Sequence, residues 1–173
     1  MKPTHLGKLF NLHIDLHPLT WPATLFLWFG LIAAFHYGLA LPLPEALLLA
    51  LAATLLHWIS LLLHHLGHII AARLTGYPIS GLIIGTFGLL ARDLYPTGEP
   101  ELAPGIHIRR ALGGPLASAL LSLFFFLLLP LWPGNWHWLG LVILLENLFV
   151  FTLQVFIPLS FNDGGTLLKY LRR

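Results

Sequence analysis

Three histidines fall within five residues, His64, His65 and His68, inside a long apolar stretch. On a helix, His64 and His68 stand about 40° apart around the axis and about 6 Å apart along it, so both imidazoles can reach one metal ion from a single face. His57, seven residues earlier, lies about 20° from His64 on the same face and deeper in the stretch. An ionisable group in a membrane span is costly and marks a functional candidate, whereas the bland reading makes these histidines satisfied structural groups. A metal site that keeps an open position takes three protein ligands. The third candidate is Asp163, in the tract Asn162-Asp163-Gly164-Gly165. Asp163 is also a good N-cap for a helix over 166–173, and the two roles are compatible. The expected chemistry is one Zn2+ per chain on His64, His68 and Asp163.

The elements that must position these residues follow from composition. Hydrophobic residues make up 57% of the 173 and charged residues 9%, against about 25% charged in an ordinary soluble domain. Lipid is therefore the expected solvent. The absence of cysteine removes disulfides and thiolate chemistry. A spanning helix needs about 20 apolar residues, and four segments qualify, roughly Trp21–Leu41, Pro44–Ala72, Ala111–Leu131 and Trp136–Ser160. Leu41-Pro42-Leu43-Pro44 and Trp132-Pro133-Gly134-Asn135-Trp136 make tight turns between them. Trp21, Trp132 and Trp136 sit where an interfacial aromatic belt is expected. The first twenty residues lack the continuous apolar run of a cleavable signal peptide. The fold class is an all-α polytopic membrane protein with about four transmembrane helices, read as a single membrane domain.

All nine Lys and Arg residues fall on one side of such a bundle. Lys2 and Lys8 precede the first span. Arg73, Arg92, Arg109 and Arg110 lie in the middle loop, and Lys169, Arg172 and Arg173 follow the last span. The two short turns carry only Glu45. The positive-inside rule therefore puts both termini and the middle loop in the cytoplasm. A basic pI of 9.2 is then a topology signal and not a nucleic-acid footprint. The expected setting is a multi-pass protein of a prokaryotic plasma membrane, with the histidine motif and Asp163 both in the cytoplasmic third of the bilayer.

As a set, these tracts resemble the site-2 protease family of intramembrane zinc metalloproteases. The family's His-Glu-x-x-His motif maps to His64–His68 and its Asp-Gly motif to Asp163-Gly164, with Pro158 five residues upstream. Its Gly-Pro-rich middle helix resembles Gly113-Gly114-Pro115-Leu116-Ala117-Ser118. The Gly-punctuated apolar stretch Ile79–Ala91 resembles its short membrane-associated β-hairpin, whose edge can take an extended substrate by strand addition. The other reading of that stretch is a loop packed on the bundle. By this resemblance Ile83, Gly85, Thr86 and Phe87 are substrate-binding candidates, and the partners are lipid and a membrane-spanning protein substrate, with no nucleic acid. The resemblance covers about Leu47 to Arg173, leaving residues 1–46 as an N-terminal segment with an added helix.

The departure from the family lies at position 65. The family's general-base Glu is here His65, so the ligand positions survive and the carboxylate does not. A neutral imidazole beside a divalent cation can accept a proton, so a working intramembrane metallopeptidase is one reading. A pseudoprotease that binds zinc and membrane segments is another. A di-iron centre would need several histidine boxes, and the remaining seven histidines form none. A haem would need His57 paired with His36. Glu146 and Asn147, inside the fourth span, are expected to bond neighbouring helices or the outer interface rather than a metal.

Overall fold

Prolines set where the long helices start. Pro42 is the extended residue before the second helix and Pro44 lies in its first turn; Pro104 opens the third. At these positions the missing N–H and the fixed φ of proline cost nothing. The structure is a computed structural model and describes residues 2–9 and 11–172. Arg173, one of the nine basic residues, lies outside the described residues.

In chain order the elements are β1 (Thr4–Leu9), β2 (Leu12–Leu16), α1 (Thr20–Ala33), α2 (Leu43–Leu74), β3 (Gly81–Thr86), β4 (Leu90–Leu94), α3 (Pro104–Leu128), α4 (Trp136–Leu145) and α5 (Asp163–Leu171). Among the described residues, three helices are long and apolar enough to cross a membrane. These are α2, α3 extended by a 3-10 turn to Leu131, and α4 extended by π and 3-10 turns to Phe156. The first expected span is shorter, a 14-residue α1 continued by the five-residue π turn Ala34–Gly38. The fourth departs from a continuous α-helix. Regular helix stops at Leu145 and a π segment, Glu146–Thr152, follows before the chain ends its descent at Phe156.

Burial is inverted relative to a soluble bundle. On α2 the buried positions include Thr54, His57, Ser60, His64 and His68, while Leu55, Leu62, Leu66 and Ile70 face outward. Large aliphatic groups gain nothing by hiding from lipid, whereas polar groups must find partners inside. Helices α2 and α3 touch at Gly67 and Gly113, where a Cβ on either would strike the other's backbone carbonyl. Small residues allow this close approach.

The β content exceeds one hairpin. β3 and β4 pair antiparallel as expected, through a turn with Phe87 and Gly88 at positive φ. However, β2 pairs parallel to β3, and β1 pairs with β2, giving one sheet in the order β1-β2-β3-β4. The N-terminal segment and the middle loop thus share one sheet. The two short turns meet, with Asn135 Nδ2 donating to Glu45 Oε2 at 3.0 Å. Beside the first helix, the hairpin packs so closely that a Cβ at Gly85 would collide with Thr20.

Candidate metal centre

Helix α2 presents a polar row, and each member reaches a different element. His57 Nδ1 bonds Glu146 in the π segment, and its Nε2–H donates to the Leu89 carbonyl in the hairpin turn at 3.1 Å. With both ring nitrogens engaged, His57 has none left for a haem iron. Ser60 Oγ accepts from Asn147 Nδ2 at 2.9 Å. Glu146 and Asn147 therefore bond neighbouring elements, as their position in the span suggests. The π segment carries both residues, and such bulges recur at functional sites.

Further along the row, His64 and His68 turn their Nε2 atoms toward each other, 3.1 Å apart. Asp163 at the start of α5 faces both, with Oδ2 3.4 Å from His64 Nε2 and Oδ1 3.4 Å from His68 Nε2. Two imidazole nitrogens this close cannot both aim bare lone pairs at each other; a proton or a cation has to lie between them. Donors about 2.0–2.1 Å from a tetrahedral zinc stand about 3.3–3.4 Å apart. The His64–His68 separation is close to that edge, each ring nitrogen has its own Asp163 oxygen at 3.4 Å, and the three residues offer one ligand atom each within 4.8 Å of one another, so two imidazoles and a carboxylate fit the ion.

Supports behind the three groups complete the fit. His68 Nδ1–H donates to the Arg110 carbonyl at 2.8 Å, which leaves the lone pair on Nε2. His64 Nδ1 shares a hydrogen bond of 3.0 Å with Ser118 Oγ. Gln154 Nε2 donates to Asp163 Oδ2 at 2.6 Å. Partners of this kind fix tautomer and ring orientation in metal sites. Burial pushes the Asp163 carboxyl up, but its contacts with His64 and His68 outweigh burial and hold it below the usual carboxylate range. Gly114 on α3 leaves the space in front of the rings open, since a Cβ there would meet both Nε2 atoms.

Asp163 is not the cap of α5. Asn162 takes that role, its Oδ1 accepting from Gly165 N at 2.9 Å, while Asp163 is the first helical residue. The division follows from the tight loop before α5. Asn162 also bonds the carbonyls of Gln154 and Ile157, and Gly164 and Gly165 run too close to that loop's backbone for any side chain.

His65 stands apart from the three. Its Nδ1 lies 2.9 Å from Asp93 Oδ1 on β4. Both residues line the cavity of about 630 Å³ that also holds His64, His68 and Asp163. The earlier candidates Ile83, Gly85, Thr86 and Phe87 do not line it. β3 is flanked by β2 and β4, so its backbone offers no edge for strand addition, and Gly85 is closed off by Thr20. The free edge beside the cavity belongs to β4. Sequence reasoning missed Asp93, Ser118, Gln154 and the backbone role of Arg110. Asp93 had a signal, an acid two residues beyond the apolar stretch Ile79–Ala91. The Arg110 side chain is no simple topology marker either. It is buried, forked onto Glu99 at 3.0 and 3.1 Å, and stacked 4.1 Å over Tyr95.

The architecture is that of a polytopic membrane protein with a small sheet folded against its helices. Among solved structures, a site-2 protease from Methanocaldococcus jannaschii matches it with a TM-score of 0.62 at 20% sequence identity, covering 99% of this chain and 72% of that one. No protein-family model and no curated protein matches the chain.

Proposed function

We propose that the chain is a site-2-protease-like intramembrane metallopeptidase that hydrolyses peptide bonds of membrane-spanning substrates at one zinc ion held by His64, His68 and Asp163. The observation that carries this reading is the convergence of His64 Nε2 and His68 Nε2, 3.1 Å apart, with one Asp163 carboxylate oxygen 3.4 Å from each, set beside the fold shared with a site-2 protease. Zinc in such a site supplies Lewis acidity toward the scissile carbonyl and toward water. The chain's own residues do the rest. His65 Nε2 takes one proton from the attacking water as the water oxygen bonds the carbonyl carbon. The same proton then passes from Nε2 to the departing nitrogen as the C–N bond breaks, leaving a carboxylic acid, an amine and neutral His65. The unpaired edge of β4, along the cavity, would hold the substrate backbone extended. The one-sided set of basic residues supports cytoplasmic termini and a site opening toward the cytoplasm.

A second reading is a pseudoprotease that binds zinc and membrane segments without cleaving them. The imidazole in place of a carboxylate at position 65 favours it. Metal analysis and cleavage of a model transmembrane helix in liposomes separate the two. The peptidase reading expects one zinc per chain and cleavage, both lost in His64→Ala plus His68→Ala. Zinc retained in that double variant refutes the site. Zinc present with no wild-type cleavage, and cleavage that appears only in His65→Glu, selects the pseudoprotease. Asp163→Ala with undiminished zinc removes Asp163 alone from the ligand set.

A further inference from the structure

One buried acid next to the metal centre is not among its three ligands. Asp93 lies on β4, in a strand that leans against the membrane-spanning α2, and its side chain is nine-tenths covered. Aspartate is disfavoured both in strands and at such a depth. Its partner is His65 Nδ1 at 2.9 Å, on an imidazole that is buried to the same degree. A carboxylate only accepts, so the hydrogen of His65 belongs on Nδ1 and the lone pair on Nε2. The hydrogen bond made by one ring nitrogen sets the state of the other.

We infer that Asp93 is the positioning residue for His65: it fixes the ring's tautomer and orientation so that a bare Nε2 is presented to the cavity shared with the metal centre. This rests on the peptidase reading for its purpose but not for its geometry. The same logic holds the histidine of a Ser-His-Asp triad, where the buried acid orients the ring and stabilises the imidazolium without itself taking the proton. Here it accounts for how histidine can stand at a position where a carboxylate would otherwise be needed. The base is assembled from two elements, α2 supplying the ring and β4 the acid.

A rival role for Asp93 is ligation of a second ion, since His65, His68 and Asp93 also come within 4.8 Å of one another. Two observations oppose it. Both nitrogens of His68 are committed, Nδ1 to the Arg110 carbonyl and Nε2 toward His64 and Asp163. The His65–Asp93 separation of 2.9 Å is that of a direct hydrogen bond between the two groups.

The test uses the full chain in detergent, labelled with ¹⁵N-histidine. The His65 signal is assigned by its loss in His65→Gln. The expected wild-type state is Nδ1–H with Nε2 unprotonated. Asp93→Asn, which keeps the shape, and Asp93→Ala should both shift the proton to Nε2 while leaving zinc content at the wild-type value. A wild-type His65 carrying its hydrogen on Nε2 overturns the inference. So does loss of zinc in both Asp93 variants, which would make Asp93 a ligand. In the cleavage assay, Asp93→Asn should lower kcat about 10²–10⁴-fold with KM little changed. In a His65→Ala background the same substitution should cost nothing further, because the acid acts only through the ring. An equal loss in both backgrounds also overturns it. If the wild type never cleaves, the peptidase reading fails alone, and the tautomer and zinc measurements still decide the role of Asp93.

Discussion

Replacing Gly114 by alanine sets two expectations of opposite sign against each other. Gly114 lies within α3, where alanine is better than glycine by about 0.5–1 kcal/mol on helix propensity. A bare helix would therefore gain from Gly114→Ala. The new methyl, however, would stand 2.5 Å from His64 Nε2 and 2.6 Å from His64 Cε1, and would also strike His68 Nε2, where ordinary contact begins at 3.4 Å. The His64 ring must retreat by roughly 0.9 Å, against a tolerance of about 0.2 Å in a metal–ligand distance. At least one nitrogen leaves the ion. A loss of 10–100-fold in zinc affinity is the lower bound, the usual effect of disturbing only the groups behind the ligands, and corresponds to about 1.4–2.7 kcal/mol. Equilibrium dialysis against buffered zinc, with metal counted per chain, measures this directly. Circular dichroism in the same detergent should show unchanged helix content. Gly105→Ala is the control, because a Cβ there meets nothing within 4 Å; it should bind zinc as the wild type does. Full zinc affinity in Gly114→Ala would refute the reasoning that the two rings converge beneath this glycine.

Two further outcomes follow from the same structure. Glu99→Ala strands the Arg110 guanidinium, which is 3% exposed, and should lower thermal stability by about 3 kcal/mol, the low end for breaking a buried pair because Glu99 keeps some solvent contact; a Tm unchanged within a degree in detergent would contradict this. Single cysteines placed at residue 2 or 172 of this cysteine-free chain should resist a membrane-impermeant thiol reagent applied from outside intact cells, and labelling of either would reverse the proposed orientation.

Three of the four expected spans and the histidine face were readable because both depend on local spacing. Hydropathy over about 20 residues needs no partner, and four residues on a helix return to the same face whatever surrounds them. The first two strands were not readable, although Leu12, Ile14 and Leu16 alternate with His13 and Asp15. The partner that makes β2 a strand is β3, with His13 paired to Gly81 far along the chain, and no local pattern announces a parallel neighbour. The same limit hid Asp93, whose meaning depends on the fold bringing β4 against α2. The π segment at Glu146–Thr152 escaped because an inserted residue leaves hydropathy unchanged and alters only which side chains face inward. Gly114 was legible as part of a Gly-Pro-rich tract; that Gly113 admits α2 while Gly114 clears room for imidazoles needed the helix and ring positions.

The polar row on α2 also explains why the candidate metal centre falls where it does. Along the row each buried group spends its hydrogen-bonding capacity on a different neighbour. His57 takes Glu146 and Leu89, Ser60 takes Asn147, His64 takes Ser118 through Nδ1, and His68 takes the Arg110 carbonyl through Nδ1. In lipid these bonds hold the helices in register, because apolar packing alone scarcely distinguishes a helix neighbour from a lipid tail. They also decide which nitrogens are left over. His57 has none. His64 and His68 each keep Nε2, and the bonds at Nδ1 point those two atoms at one another and at Asp163. Asn162 caps α5, so Asp163 is free to face them. A candidate site for a cation is thus what remains once the other polar groups in the row have been satisfied, and His65, at its different place on the helix, is turned to Asp93 instead.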